Sequence, residues 1–361
     1  MNKLNLNPKD RKLEDILTKA LEGNGISKSE ALYILRVKNV HDLYAIFSVA
    51  QDLREKFFNN DLFTYGFIYF TTYCRNDCAF CYYRISNDKT MRYRKSLEEI
   101  VNYAKKLKGT GINLIDLTMG EDPIIYGKPD GWRTVEEIIE AVKDSTRLPI
   151  MISPGAASRE AIRAFKDAGA DWFAVYQETY NRQLYSRLRL NQDFDYRLKV
   201  KLWAKEEGML IEDGMLLGVG EREEDWVDSV FSMKEINADQ VREMGFVGQL
   251  NTPMESIPAP PLLDEMRVIA LMRLTNPDKL IPASYDVDGT KGLQMRLMAG
   301  ANVVTSLIPP DTGLVGVAQA ELDVDSGTRT RDGIKKFIEE LGLRLASSSE
   351  YEKWVERQHS T

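Results

Sequence analysis

Residues 67–84 read FIYFTTYCRNDCAFCYYR, an apolar and aromatic run followed by a loop with three cysteines. Cys74, Cys78 and Cys81 are the only cysteines among the 361 residues, and they fall within eight positions of one another. An odd, clustered set in a sequence that shows no secretion signal is not typical of a disulfide framework. The polar run Arg75–Asp77 between them suits a loop rather than a core strand. The pattern therefore predicts a β-strand followed by a loop of metal ligands.

Three thiolates on one short loop are typical of a soft-metal site. A structural zinc site would need a fourth protein ligand, and the only histidines, His41 and His359, lie near the two ends of the sequence. A [4Fe–4S] cluster also normally takes four thiolates, so three would leave one iron open to another ligand. The spacing C-x3-C-x2-C, with Phe80 before the third cysteine, resembles the signature of the radical S-adenosylmethionine superfamily, and this resemblance implies such a cluster rather than zinc.

The sequence from this loop onward alternates eight times between a β-rich stretch and an amphipathic helical stretch. The strand candidates are Thr64–Thr72, Leu114–Thr118, Ile150–Ser153, Trp172–Tyr176, Leu210–Leu217, Gln240–Gly245, Leu280–Ala283 and Asn302–Ser306. The helix candidates are Ser96–Leu107, Thr134–Lys143, Arg159–Ala168, Asp195–Glu207, Glu223–Glu235, Leu262–Leu274, Gly289–Ala299 and Arg331–Leu341. This pattern favours the α/β class and a (βα)8 TIM-type barrel over an open sheet.

Further helices are predicted at both ends of the barrel. Three precede it, with Ser27 and Asn39 as plausible N-caps. We expect an N-terminal helical extension over residues 1–60, the barrel over 61–345 and a short C-terminal helix over 346–361, for which the sequence gives no functional signal.

Composition excludes several classes of protein. The chain has 48 basic and 55 acidic residues and a net charge of −7, whereas a nucleic-acid-binding domain is usually basic. Its apolar runs are shorter than the roughly 18 residues of a membrane span, and its start lacks the apolar segment of a signal peptide. We therefore expect a cytoplasmic protein that binds neither nucleic acid nor membrane.

Polar residues fall where a barrel places its chemistry, at the C-terminal ends of the strands. Strand by strand, these are the cysteine loop, Gly120–Asp122, Ser153, Gln177–Thr179, Asp213, Arg242, Ser284–Asp286 and Ser306. The agreement across all eight strands predicts one polar site at one rim of the barrel.

Several stretches resemble the methylornithine synthase family. Its members are mutases in the biotin-synthase-like group of the radical S-adenosylmethionine (SAM) superfamily. Besides the cysteine loop, these are LIDLTMGEDP (114–123), LPIMISPG (148–155), YQETY (176–180), LIPASYD (280–286) and AGANVVTSLIPPD (299–311). The likeness covers roughly residues 60–345. The cysteine triad is shared by the whole superfamily, whereas MGEDP followed by YQETY and IPASYD is more specific.

The resemblance implies a role for each matching residue. Cys74, Cys78 and Cys81 should bind a [4Fe–4S] cluster whose open iron is chelated by S-adenosyl-L-methionine. The residues expected to bind that cofactor are Gly120, Glu121, Ser153, Glu178 and Arg197. The residues expected to bind the substrate are Asp116, Arg242, Ser284 and Asp286. A substrate with one carboxylate and two amines suits this set, which offers one cation and two anions.

The reaction implied is the rearrangement of L-lysine to 3-methylornithine, the first step of pyrrolysine biosynthesis. A 5′-deoxyadenosyl radical would take hydrogen from the γ carbon of lysine. The Cα–Cβ bond would then break, and Cα would rejoin the γ carbon. The primary radical left on the former β carbon would take hydrogen back from 5′-deoxyadenosine and become a methyl group. The radical is carried by the cofactor, so no acid or base residue is expected to be catalytic. An electron donor such as flavodoxin or ferredoxin is implied as a partner.

Other interpretations remain open at this point. The enzyme could act on a different small amino acid or resemble the hydrogenase maturases, and a non-enzymatic Fe–S or metal carrier is a further alternative. Four features also have a structural interpretation: an Arg242–Asp286 ion pair, a Glu178–Arg197 ion pair, packing of Asp116 inside the barrel, and a positive φ at Gly120.

Overall fold

The computed structural model describes residues 8–285, 287–308 and 329–359. The strands in chain order are β1 Asp61–Thr71, β2 Leu114–Met119, β3 Ile150–Ser153, β4 Trp172–Ala174, β5 Leu210–Leu217, β6 Gln240–Gly245, β7 Pro282–Ser284, β8 Val303–Leu307 and β9 Arg344–Leu345. The helices are α1 Arg11–Leu21, α2 Lys28–Leu35, α3 Val40–Phe58, α4 Leu97–Gly109, α5 Pro123–Tyr126, α6 Arg133–Thr146, α7 Arg159–Asp167, α8 Arg182–Leu188, α9 Phe194–Glu206, α10 Glu223–Glu235, α11 Leu262–Thr275, α12 Gly289–Met298, α13 Arg331–Glu340 and α14 Ser348–His359. The short elements α5, α8 and β9 were not predicted from the sequence.

Within the described residues, parallel strands are hydrogen-bonded in the order β6-β5-β4-β3-β2-β1-β8-β7. An isolated parallel bridge between Gln240 and Leu280 joins β6 to the residues just before β7. The ring of strands is therefore nearly closed, with helices between successive strands. β9 pairs with the start of β1. This architecture confirms the predicted (βα)8 TIM-type barrel.

The strand register brings polar side chains to one level inside the barrel. Asp116 of β2 is paired with Met151 of β3, and Thr118 with Ser153. Leu114 belongs to the core inside the barrel. Because side chains alternate along a strand, Asp116 and Thr118 point to the same interior, closer to the C-terminal rim.

The C-terminal helix α14 closes the opposite end of the barrel. The ring of Trp354 stacks on that of Trp172 with centroids 5.8 Å apart and planes inclined by 8°. Tyr351 makes an edge contact with Phe63 at 5.0 Å. Both rings of α14 are buried among inward-facing residues of the strands. The tail, which gave no functional signal in the sequence, therefore forms the floor beneath the site.

The N-terminal helices α1–α3 pack on the outside of the barrel. The predicted N-caps are confirmed: the Ser27 hydroxyl accepts from the backbone N–H of Glu30 at 3.3 Å, and Asn39 Oδ1 accepts from that of His41 at 3.0 Å. Arg54 of α3 donates to the carbonyl of Ala301 at 3.1 Å, which ties the extension to the barrel. The domain boundaries at residues 60 and 345 stay a prediction. None of the described helices has the length and apolar character to cross a membrane.

Candidate active site

One cavity of about 320 Å³ opens among the C-terminal ends of the strands, and we call it the rim cavity. The three cysteines line it. So do all the other predicted site residues that the structure describes: Asp116, Gly120, Glu121, Ser153, Glu178, Arg197, Arg242 and Ser284. Asp286, also predicted, lies outside the described residues. The structure therefore brings residues from distant parts of the sequence to one space.

Backbone hydrogen bonds hold the cysteine loop from two sides. The N–H of Arg75 donates to the carbonyl of Glu121 at 2.9 Å, and that of Ala79 donates to the carbonyl of Leu188 at 2.8 Å. The first bond joins the loop to the turn after β2, and the second joins it to the end of α8. The loop is thus positioned by the connections that follow β2 and β4.

Gly120 lies where the turn after β2 meets the cysteine loop. A Cβ atom at this position would be 2.3 Å from the carbonyl oxygen of Tyr73, a distance that no side chain can occupy. Gly120 is not one of the glycines with positive φ, so the positive-φ interpretation is wrong. Glycine is needed here because two backbones approach closely.

The cysteine loop offers donors that suit an iron–sulfur cluster. Burial raises the pKa of the Cys74 and Cys81 thiols, so a bound metal would be needed to hold them as thiolates at neutral pH. Among the described residues, no three His, Cys, Asp or Glu side chains meet at the spacing that a single metal ion needs. Thiolates that each bind a different iron of a cluster do not have to meet in this way. The soft sulfur donors therefore fit a [4Fe–4S] cluster.

Glu178 and Arg197 leave buried polar atoms in the rim cavity without partners. Glu178 forms an ion pair with Arg189, not with Arg197 as the structural alternative supposed. Arg197 Nε donates to the carbonyl of Tyr176 at 2.6 Å. Glu178 Oε2 and Arg197 Nη1 make no hydrogen bond although both are buried. Buried polar atoms are nearly always paired, so these two suit a polar ligand such as SAM.

The backbone of Glu178 is held in a conformation that a non-glycine residue rarely adopts. Its φ is 66°. Its N–H donates to the carbonyl of Gly214 at 3.0 Å, and its carbonyl accepts from Leu216 at 2.9 Å. Both partners lie on β5, so the rigid sheet maintains the strained position. The strain aims the carboxylate into the rim cavity.

Glu121 already has partners within the protein. Its carboxylate forms an ion pair with Arg75 at 2.9 Å and accepts from the N–H of Ala156 at 2.9 Å. These contacts join the turn after β2 to the cysteine loop and to the loop after β3. Glu121 lines the rim cavity, but part of its function is to hold these loops together.

Asp116 and Ser153 form one hydrogen-bonded pair on neighbouring strands. The Ser153 hydroxyl donates to Asp116 Oδ1 at 2.8 Å. The structure thus joins a residue predicted for the cofactor to one predicted for the substrate. Burial, followed by the nearby Glu212 carboxylate, raises the pKa of Asp116 from 3.8 to about 7. A cation placed beside Asp116 would therefore stabilise its ionised form.

Arg242 shares an ion pair with Glu212 inside the barrel. Arg242 Nε donates to Glu212 Oε1 at 2.6 Å, and Arg242 Nη1 lies 3.4 Å from Thr305 Oγ1. The Ser284 hydroxyl lies 3.4 Å from the same Thr305 oxygen. The pair with Glu212 holds the guanidinium on one side. Burial alone would lower the pKa of Arg242, but the Glu212 carboxylate more than offsets this, so the pKa is raised. Arg242 and Thr305 both line the rim cavity.

Sequence reasoning missed Arg189 and Glu212 and gave Asp213 the wrong position. Asp213 is fully buried on the outer face of β5, where it pairs with Lys201 of α9 at 3.1 Å. Glu212, its neighbour, faces inward to Arg242. The only sequence signal for Glu212 was an acidic residue within an apolar strand. Arg189 follows a helix that was not predicted, so nothing in the sequence singled it out.

The chain is similar to several known proteins. The Radical SAM superfamily model matches residues 68–233. The 3-methylornithine synthase of Methanosarcina acetivorans is 42% identical over 334 residues, which are 92% of this chain and 94% of that protein. A crystal structure of methylornithine synthase (PylB) has a TM-score of 0.88 at 38% identity, over 94% of this chain and 99% of that chain. The [FeFe] hydrogenase maturase subunit HydE of Thermotoga maritima is 32% identical over 264 residues, 72% of this chain and 74% of that protein.

The similarity to the synthases covers more than nine-tenths of each chain. Radical SAM enzymes use a [4Fe–4S] cluster and SAM, and the cysteine loop with the unpartnered atoms beside it suits both. The chain therefore belongs to the 3-methylornithine synthase family of the radical SAM superfamily.

Proposed function

We propose that this chain is an isomerase that converts L-lysine into 3-methylornithine by radical SAM chemistry. The observation that carries the proposal is the rim cavity, where three thiols share one space with Arg242 and Asp116. Substrate and product are isomers that each carry one carboxylate and two amines. A cationic and an anionic side chain in one chamber suit both molecules. The activity for which the similar synthases are named supports the same assignment.

The cofactors would lie on the side of the cavity that carries the cysteines. Cys74, Cys78 and Cys81 would each bind one iron of a [4Fe–4S] cluster and leave the fourth iron open to SAM. The residues that would contact SAM are Gly120, Glu121, Ser153, Glu178 and Arg197. When bound, these groups supply a 5′-deoxyadenosyl radical that can take hydrogen from an unactivated carbon. Arg197 suits the SAM carboxylate because a planar guanidinium can donate two parallel hydrogen bonds.

The substrate would bind between β2 and β6. Arg242, held on its Nε side by Glu212, would donate its Nη hydrogens to the α-carboxylate of lysine. Asp116, held by Ser153, would accept from one ammonium group. Ser284 lines the same cavity, and Asp286 is proposed as the second anion. Two fixed ends would keep the lysine chain extended beside the cofactor.

The barrel would also keep reactive fragments together. Its lower end is filled by Trp172, Trp354 and Tyr351, all of them buried. A chamber with a closed floor limits the entry of water and the loss of a cleaved fragment before recombination. Radical SAM enzymes need a reductant, and we propose flavodoxin or ferredoxin as the electron donor.

The test is anaerobic incubation of the iron-loaded protein with lysine, SAM and a chemical reductant, followed by mass spectrometry and chromatography against a 3-methylornithine standard. We expect 3-methylornithine and 5′-deoxyadenosine in the parental protein and neither in Cys78→Ser. SAM cleavage without a product from lysine would point to another amino acid or to maturase-like chemistry. Bound iron without SAM cleavage would point to an Fe–S carrier. Either result would overturn the proposed reaction.

A further inference from the structure

The connection between α8 and α9 places two side chains against the sulfur of Cys78. Gln192 Nε2 donates to Cys78 Sγ at 3.0 Å. Arg189 Nη1 lies 3.7 Å from the same sulfur. Cys74 Sγ instead accepts from the backbone N–H of Asn76 at 3.5 Å. The closest of these N–H···S contacts is therefore made by a side chain, and it is made to Cys78.

Arg189 fixes which end of the Gln192 amide faces the sulfur. Its Nη1 atom donates to Gln192 Oε1 at 3.2 Å, so the amide oxygen faces the cation and the NH2 group faces Cys78. In the reversed orientation the oxygen would face the sulfur and the NH2 group would face another donor. Both of those contacts would be unfavourable. The donor role of Gln192 is thus determined by its surroundings.

The Glu178 carboxylate largely balances the positive charge of Arg189 near the Cys78 sulfur. Arg189 and Glu178 form a buried ion pair, so together they add little net charge beside Cys78. Gln192 is neutral, and its Nε2 group donates to Sγ at 3.0 Å. The amide therefore provides a local field at the sulfur that does not depend on pH.

We propose that Gln192 raises the reduction potential of the [4Fe–4S] cluster through its hydrogen bond to Cys78. This inference rests on the cluster of the proposed function. Reduction adds negative charge that is shared with the thiolate ligands. An N–H donor stabilises that charge, and hydrogen bonds to cluster sulfurs are one of the established determinants of potential. Gln192 is thus a tuning residue that acts through Cys78 and does not itself contact the substrate.

The contact can be removed without taking away the support of the loop. The bond from Ala79 N to Leu188 O and the ion pair of Arg189 with Glu178 do not involve Gln192. Leucine at position 192 would keep a similar volume and would remove both amide contacts, the one to Cys78 and the one from Arg189. We therefore expect Gln192→Leu to fold and to bind its full complement of iron.

The experiment is a redox titration of the reconstituted protein, followed by the EPR signal of the reduced cluster. We expect a more negative midpoint potential in Gln192→Leu than in the parental protein, and a larger shift in Gln192→Glu, which also adds an anion. Gln183→Leu, at an exposed site on α8, should keep the parental potential. An exchangeable-proton hyperfine coupling should also be lost in Gln192→Leu.

A parental potential in Gln192→Leu, with full iron content and an unaltered signal shape, would overturn this inference and leave the proposed function standing. Failure of the parental protein to form a [4Fe–4S] signal would instead overturn the proposed cofactor. The two failures are therefore distinguishable in one set of samples.

Discussion

Lysine binding should strengthen as the pH rises from 6 to 8, because Asp116 must be ionised before it can hold an ammonium group. Burial and the neighbouring Glu212 carboxylate raise the pKa of Asp116 to about 7. Asp116 is therefore mainly neutral below pH 7 and mainly ionised above it. The side-chain amine of lysine stays cationic across this range, since its own pKa is about 10.

The size of the effect follows from the fraction of ionised sites. With a pKa near 7, roughly a tenth of the sites are ionised at pH 6 and roughly nine-tenths at pH 8. The apparent Kd is the intrinsic Kd divided by the competent fraction. Lysine should therefore bind about tenfold more weakly at pH 6 than at pH 8.

The assay is equilibrium dialysis of radiolabelled lysine against anaerobic, cluster-loaded protein with SAM. Asp116→Asn should bind lysine more weakly at pH 8 and should lose the pH dependence. Asp144→Asn, at an exposed site on α6, is the matched control and should keep it. Burial also brings the pKa values of Glu243 and Lys201 to about 8, and the Asp116 variant separates its contribution from theirs. A parental pH dependence in Asp116→Asn would show that ionisation of Asp116 does not control lysine binding.

Three other variants test the rest of the site and its floor. Arg197→Lys should weaken SAM binding by on the order of 1–3 kcal/mol, with unchanged iron content, because lysine cannot both donate to the Tyr176 carbonyl and bind a carboxylate through two parallel hydrogen bonds. An unchanged Kd for SAM in equilibrium dialysis would show that Arg197 has only a structural role. Arg242→Ala combined with Glu212→Gln removes a buried ion pair without leaving a lone charge, so the protein should fold. The rate of lysine rearrangement should fall by at least about a hundredfold, while uncoupled SAM cleavage persists. Parental turnover would show that Arg242 does not bind the substrate. Trp354→Ala should lower the unfolding free energy by about 3–5 kcal/mol in a denaturant titration, since it removes a buried ring from the floor; an unchanged midpoint would show that α14 does not close the barrel.

The barrel and the cysteine loop could be predicted because both leave local patterns in the sequence. Each strand is a short β-rich run followed by a helical pattern, and the cysteines lie within eight positions. The partners of the site residues could not be predicted in the same way. Every residue of β5 is buried, so hydrophobicity does not tell which face points inward. That is why Asp213 was placed at the rim in place of Glu212.

The partner of Glu178 depended on geometry that the sequence does not display. Arg189 and Arg197 both follow it within twenty positions, and only the short helix α8 brings Arg189 to its carboxylate. The role of the tail was equally hidden, because the stack of Trp172 on Trp354 joins residues that are far apart in sequence. Ligands that lie close together in the sequence could be predicted from it, whereas contacts between residues far apart in the sequence required the structure.

An isotope experiment shows whether this rim cavity rearranges the carbon skeleton of lysine. Lysine labelled with 13C at the β carbon would be incubated anaerobically with the cluster-loaded protein, SAM and reductant, and the product examined by NMR. We expect the label to appear in the methyl group of 3-methylornithine. Recovery of all the label in a main-chain methylene, with SAM consumed, would show that the carbon skeleton of lysine is not rearranged.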